Sequence, residues 1–143
     1  MIDNLTKQLI AEEGEILHAY DDHLNFLTIG VGRLIDMRKG GGITQEESRY
    51  LLANDINKRV ADVEKALPFY RELNDARQAV LIGMAFQMGV DGLLKFKNTL
   101  NMIKHGNYLE ASGSMLKSLW AKQTPSRVAR MAKQMDTGEW VFK

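Results

Sequence analysis

At 143 residues and 45% apolar content, the chain can bury one solid core or two small lobes but not several large domains. The absence of cysteine excludes disulfides and thiol chemistry. A net charge of +1 conceals an asymmetry: residues 1–94 hold 10 Lys/Arg against 15 Asp/Glu, and residues 95–143 hold 9 against 3. The second stretch suits an anionic polymer, although solvated helix faces account for part of it.

In chain order, Ile2, Leu5, Leu9 and Ile10 recur at helical spacing and predict a helix over 1–13, with Asp3 at its start and Gly14 to end it. Glu13 projects near the middle of that apolar stripe, while Glu12 falls about 100° to one side. Glu13 is therefore expected to turn inward at a helix C-terminus, where the backbone dipole disfavours negative charge. A carboxyl so placed is favoured in the protonated form that a general acid needs. Spacing alone also allows an ordinary glutamate at a frayed helix end.

A polar turn follows at Tyr20-Asp21-Asp22-His23, where Asp22 is expected to be solvated and ionised. From Asn25 to Gly32 the pattern alternates. Leu27, Ile29 and Val31 are assigned to a packed face, and Thr28, Gly30 and Gly32 to an open, nearly bare one. A flat polymer can lie against such a face, although a hairpin with strain-relieving glycines fits the same pattern. Two carboxylates of different environment beside an open strand form a glycosidase-like arrangement.

After Gly40-Gly41-Gly42, Thr44-Gln-Glu-Glu47 reads as a capping box. It opens one long helix over about 45–66, roughly 33 Å, closed by Pro68. Asn74 opens the most apolar helix, which should end near Gly89, with Gly83 allowing close packing. Helices over about 97–105 and 107–118 are separated by Gly106, and Thr124 with Pro125 starts a last one. Trp120 and Trp140 are read as packing anchors, and the eight methionines as core filler. His18, His23 and His105 lack metal-ligand spacing. No metal, cofactor, repeat or nucleic-acid motif is indicated.

The fold class is thus α+β and mostly helical, one domain over 1–143. A sheet-bearing small lobe should occupy about 14–45 and a connecting helix about 45–66. A helical lobe should occupy about 67–143 and include the N-terminal helix 1–13. No apolar run at the start suits export or a membrane span. The expectation is a chain that folds in the cytoplasm.

Several strings also carry a resemblance. Glu13-Gly14, Tyr20-x-Asp22 and Thr28-Ile29-Gly30-Val31-Gly32 come first. Phe86-Gln87-Met88-Gly89, Phe96-x-Asn98-x-Leu100 and Trp120-x-x-Gln123-Thr124-Pro125-x-Arg127 follow in order. Together they resemble the phage-type lysozymes, glycoside hydrolase family 24, over nearly the whole chain. The resemblance implies an endolysin: a monomer that hydrolyses the β-1,4 bond between N-acetylmuramic acid and N-acetylglucosamine in bacterial peptidoglycan. It further implies release from the host cytoplasm to the wall through a holin.

By position, Glu13 corresponds to the general acid, Asp22 to the carboxylate that positions the attacking water, and Thr28 to the hydroxyl beside it. Inversion at the sugar would need carboxyls ~6.5–9.5 Å apart. Leu34, Phe86, Thr99 and Ser114 fall on saccharide-contacting positions, Gln87 on an amide lining the cleft, and Arg127 on a basic residue facing the acid. Arg33 replaces a histidine of the best-known member, and an Arg33–Asp55 pair is expected in its stead. Thr99 and Ser114 stand where that member has serine and asparagine. The connection from Arg33 to Ile43 is short. Two alternatives remain: a silent peptidoglycan-binding relative, and a transglycosylase or chitin-active relative.

Overall fold

The capping box forms as the sequence predicts. The Thr44 amide donates to Glu47 Oε1 at 3.0 Å, and the Glu47 amide donates back to Thr44 Oγ1 at 3.1 Å. This reciprocal pair fixes the start of the helix Gln45–Ala66. The computed structural model describes residues 1–143, which divide into two compact units, Met1–Leu51 and Leu52–Lys143. The architecture is α+β and mostly helical, with a three-stranded antiparallel sheet and seven α-helices.

The first unit opens with α1 (Ile2–Glu13), stopped at Gly14, whose φ of 74° lies where a side chain would be strained. Met1 rather than Asp3 precedes the helix, without a side-chain cap. Strands β1 (Ile16–Asp21), β2 (Leu27–Gly30) and β3 (Arg33–Leu34) pair in that order, with Tyr20 opposite Thr28 and Thr28 opposite Leu34. A short 3-10 turn over Met37–Lys39 leads to Gly40, and α2 (Gln45–Ala66) begins in this unit. Gly41 is obligatory here. A Cβ on it would lie 2.7 Å from the Leu34 carbonyl oxygen and 2.8 Å from both backbone atoms of Asp36 nearest it.

Two sequence expectations fail in this unit. On β2 Thr28, expected on the open face, is 4% exposed, while Leu27, expected on the packed face, is 46% exposed; Ile29, Gly30 and Val31 are part-buried on both faces. Thr28 sits on the central strand between Tyr20 and Leu34, so its neighbours cover it, and alternation alone could not say which face would be covered. Glu13 is also exposed, because no residue of α1 is buried and its apolar stripe stays open to solvent.

The second unit carries α3 (Asp75–Leu94), α4 (Lys97–Lys104), α5 (Tyr108–Leu116), α6 (Leu119–Gln123) and α7 (Pro125–Thr137). Asn74 caps α3 by accepting the Arg77 amide at 3.0 Å. The expected end near Gly89 is a kink: Gly89 has φ 77° and the chain resumes helical geometry to Leu94. Helix α6, capped by Ser118, was not anticipated. The core is built on Leu81, Met84, Leu93, Ile103, Met115 and Met135, all fully buried. A Cβ on Gly83 would stand 3.0 Å from the Met131 methyl, so this glycine does permit close packing of α3 and α7. No single helix is long and apolar enough to cross a membrane.

Candidate active site

The first unit holds Glu13 beside Gly32 after β2 and Asp22 in the turn before it, with Thr28 on β2. Asp22 Oδ1 accepts the amides of Leu24 at 2.9 Å and Phe26 at 2.8 Å, closing the β1–β2 turn. Oδ2 makes no hydrogen bond within the protein and stays available to solvent. The Phe26 carbonyl accepts both the Asp22 amide at 2.9 Å and the Thr28 hydroxyl at 3.0 Å. Phe26 therefore holds the carboxylate through its N–H and the hydroxyl through its C=O. Since the Thr28 proton is committed to that carbonyl, Thr28 Oγ1 is left as an acceptor.

Glu13 ends α1 and reaches the β2–β3 turn. A Cβ on Gly32 would lie 3.1 Å from Glu13 Oε2 and 3.4 Å from its carboxyl carbon. Gly32 has φ 64°, so both its backbone and its neighbour require glycine. Leu34, half-buried on β3, accepts the Gly42 amide at 3.3 Å.

Arg33 does not take Asp55 as its carboxylate. Its Nη2 lies 2.9 Å from Glu47 Oε2, and Nη1 donates to Oε1 at 3.2 Å. The capping box supplies the reason. It holds Glu47 at the first turn of α2, whereas Asp55 stands more than two turns further along. Hydrogen bonding to Arg33, with the Thr44 amide second, holds Glu47 well below its usual range, at about 2.

Sequence reasoning missed a second ionic cluster. Buried Asp36 accepts Arg38 Nη2 at 2.6 Å and the Arg38 amide at 2.9 Å, capping the 3-10 turn. The Arg38 side chain beside it lowers Asp36 to about 2. Arg38 and Lys39 both lie over the Phe26 ring, at 5.2 Å and 4.8 Å from its centroid. The readable signal was Asp36-x-Arg38 immediately before three glycines.

The second unit sorts its predicted residues differently. Phe86 and Arg127 line one hollow of about 590 Å³, otherwise largely apolar, together with Ile56, Ile82 and Trp140. Trp140 is half exposed and stacked on Phe142 rather than buried as an anchor. Arg127 has no carboxylate partner. Gln87 spends its amide internally: Oε1 accepts the buried Trp120 indole at 2.9 Å, and Nε2 reaches the Thr124 hydroxyl at 3.4 Å. Trp120 also meets Phe96 edge-on at 5.9 Å, as a packing anchor should. Thr99 and Ser114 share a hydroxyl hydrogen bond of 2.7 Å in a separate hollow of about 680 Å³. Thr99 is 3% exposed, so Ser114, half-buried, is the more accessible of the two hydroxyls. No group of three or more acidic or histidine side chains is arranged to hold a metal.

Comparison with known proteins gives the family. The family model for phage lysozyme matches residues 11–134. Probable T4-type lysozyme 1 of Dictyostelium discoideum is 30% identical, with 96% of each chain covered. That alignment runs over 164 positions against a chain of 143 residues, so the relative carries residues missing here. The pre-baseplate central spike protein Gp5 of Enterobacteria phage T4 is 31% identical over 94% of this chain and 28% of its own length. Peptidoglycan hydrolase gp36 of Pseudomonas phage phiKMV is 29% identical over 94% of this chain and 16% of its own. A match over most of the chain leads to one conclusion: the chain belongs to the phage lysozyme family.

Proposed function

We propose that the chain is a peptidoglycan hydrolase that cleaves the β-1,4 bond between N-acetylmuramic acid and N-acetylglucosamine by single displacement. Glu13 protonates the leaving oxygen. A water held between Asp22 Oδ2 and Thr28 Oγ1 attacks the anomeric carbon from the opposite face, passing its proton to Asp22. The bond to the leaving oxygen breaks as the bond to water forms, and the product is a reducing sugar of inverted configuration.

The observation that supports this most is the backbone of Phe26, whose N–H donates to Asp22 Oδ1 and whose C=O accepts both the Asp22 amide and the Thr28 hydroxyl. It leaves Asp22 Oδ2 without a partner in the protein and the buried Thr28 Oγ1 as an acceptor. Exposure of Glu13 suits a donor that must reach a polymer. Leu34, Phe86 and Ser114 are read as saccharide contacts. Gln87 is read as the amide that sets Trp120.

The test is mass analysis of muropeptides released from purified peptidoglycan, with Glu13→Gln alongside. Reducing ends are expected from the parent, and a loss of about 10²–10⁴-fold from the variant. Anhydro ends would identify a transglycosylase, and equal release by the variant would remove Glu13 from the chemistry.

A further inference from the structure

Of the residues that close the turn after Asp22, His23, Leu24 and Asn25 are exposed and only Phe26 is half-buried. Two cations cover its ring, the Arg38 guanidinium carbon at 5.2 Å and Lys39 Nζ at 4.8 Å from the centroid. They are not held alike. Lys39 is in no ion pair, so its flexible stem leaves the charge free to move. Arg38 is exposed, yet its guanidinium is pinned along one edge: Nε donates to Asp36 Oδ1 at 3.1 Å and Nη2 to Oδ2 at 2.6 Å. Asp36, and then the charge of Asp21 beside Asp22, hold Arg38 above its ordinary pKa. Asp36 is buried and fixed through its backbone, its amide donating to the Leu27 carbonyl at 3.2 Å and its carbonyl accepting the Gly41 amide at 3.0 Å. Capping the 3-10 turn needs only its bond to the Arg38 amide. The side-chain fork is additional, and it sets a cation over the ring of the residue whose N–H holds Asp22.

We propose that Arg38, fixed by Asp36, is a positioning residue for Asp22 and acts through the Phe26 ring. This rests on the hydrolase reading. The contacts run from Asp36 to the guanidinium, from the guanidinium to the ring, and from the Phe26 amide to Asp22 Oδ1 at 2.8 Å. Holding the ring sets the direction of that N–H, and with it the plane in which Oδ2 meets the water. A looser ring widens the spread of carboxylate orientations, and fewer of them align the water with the anomeric carbon. None of these side chains is read as a saccharide contact, so the loss should fall on kcat rather than on KM.

The experiment joins kinetics on soluble glycan fragments of peptidoglycan to solvent-exchange NMR of the amide at position 26. Arg38→Gln should lower kcat about threefold to tenfold and keep KM within about twofold. It should speed exchange of the Phe26 amide by a similar factor and leave the Glu47 amide of the capping box unchanged. Lys39→Gln removes equal charge from the same ring and should change both readings less. Phe26→Leu removes the ring and keeps the backbone. In that background Arg38→Gln should have no further effect on kcat or on exchange at position 26. Thermal melting checks that each variant folds.

Additive losses in the paired variant would mean that Arg38 only closes the turn after β3, and would overturn the proposal. So would a loss confined to KM, an unchanged position-26 amide in Arg38→Gln, or an equal loss from Lys39→Gln. Failure of the hydrolase reading is distinct: the parent would release no sugar, while exchange at position 26 would still depend on Arg38 only when the ring is present.

Discussion

Residues 1–51 and residues 52–143 hold their shapes by different physical means. In the first stretch the two buried residues, Thr28 and Asp36, are both polar. Order there comes from directed bonds: the Phe26 backbone to Asp22 and Thr28, Arg38 to Asp36, and Arg33 with Thr44 to Glu47. In the second stretch a continuous apolar cluster from Val63 to Met135 does the work, and polar bonds such as Trp120 to Gln87 are set inside it. Directed bonds define positions sharply but bury little surface. Apolar packing contributes most of the free energy while tolerating imprecision in direction.

The largest expected effect tests that contrast directly. Leu81→Ala removes a fully buried side chain from the cluster and should cost about 2–5 kcal/mol, measured by urea unfolding followed through Trp120 and Trp140 fluorescence. Leu27→Ala, at a position 46% exposed, should cost less than about 1 kcal/mol, measured by amide exchange over the sheet. If the two costs were equal, the sheet would depend on apolar burial after all, and the contrast would not stand.

A smaller effect sharpens it. Gly30 and Gly32 flank the β2–β3 turn with nearly the same backbone, φ 69° and 64°. An added methyl on Gly30 meets nothing within 4 Å, whereas on Gly32 it meets Glu13 Oε2 at 3.1 Å. Each change to alanine should lower stability by about 1–2 kcal/mol for the left-handed conformation. On the proposed function, only Gly32→Ala should also lower kcat for wall hydrolysis, because only it displaces the Glu13 carboxyl. Equal kcat in the two variants would mean that the turn does not position Glu13.

The same contrast explains what could be read in advance. Helices of the second stretch were legible because apolar periodicity and caps such as Asn74 are local and lie on the chain itself. The capping box of α2 was legible for the same reason. The ion partner of Arg33 was not. A contact between β3 and α2 depends on how the glycine-rich return at Gly41 brings them together, and a match by position pointed to Asp55 where the chain uses Glu47. The places of Thr28 and Leu27 were misread because period-2 alternation marks two faces without saying which one meets the other strands' side chains. The expected inward turn of Glu13 failed in the same way: nothing in the spacing said that the stripe of α1 would stay uncovered.

The smallest effect concerns acid. Glu47 and Asp36 stand near 2, below ordinary values of 4.5 and 3.8, because Arg33 and Arg38 bond their charged forms. A depressed carboxylate stabilises the fold fully above its ordinary value, and the contribution is lost as pH falls through that value to the folded one. The first stretch should therefore lose protection between about pH 4.5 and 2, while these pairs give no change between about pH 6 and 8. Arg33 and Arg38 are exposed on their outer sides, so the effect should be modest and shrink in high salt. Carbon-detected titration of Glu47 in Arg33→Gln decides the cause. Its midpoint should rise toward the ordinary range, yet stay below it, since the Thr44 amide still bonds Oε1. A midpoint unmoved by the substitution would assign the depression to the capping box alone and leave Arg33 without an electrostatic role.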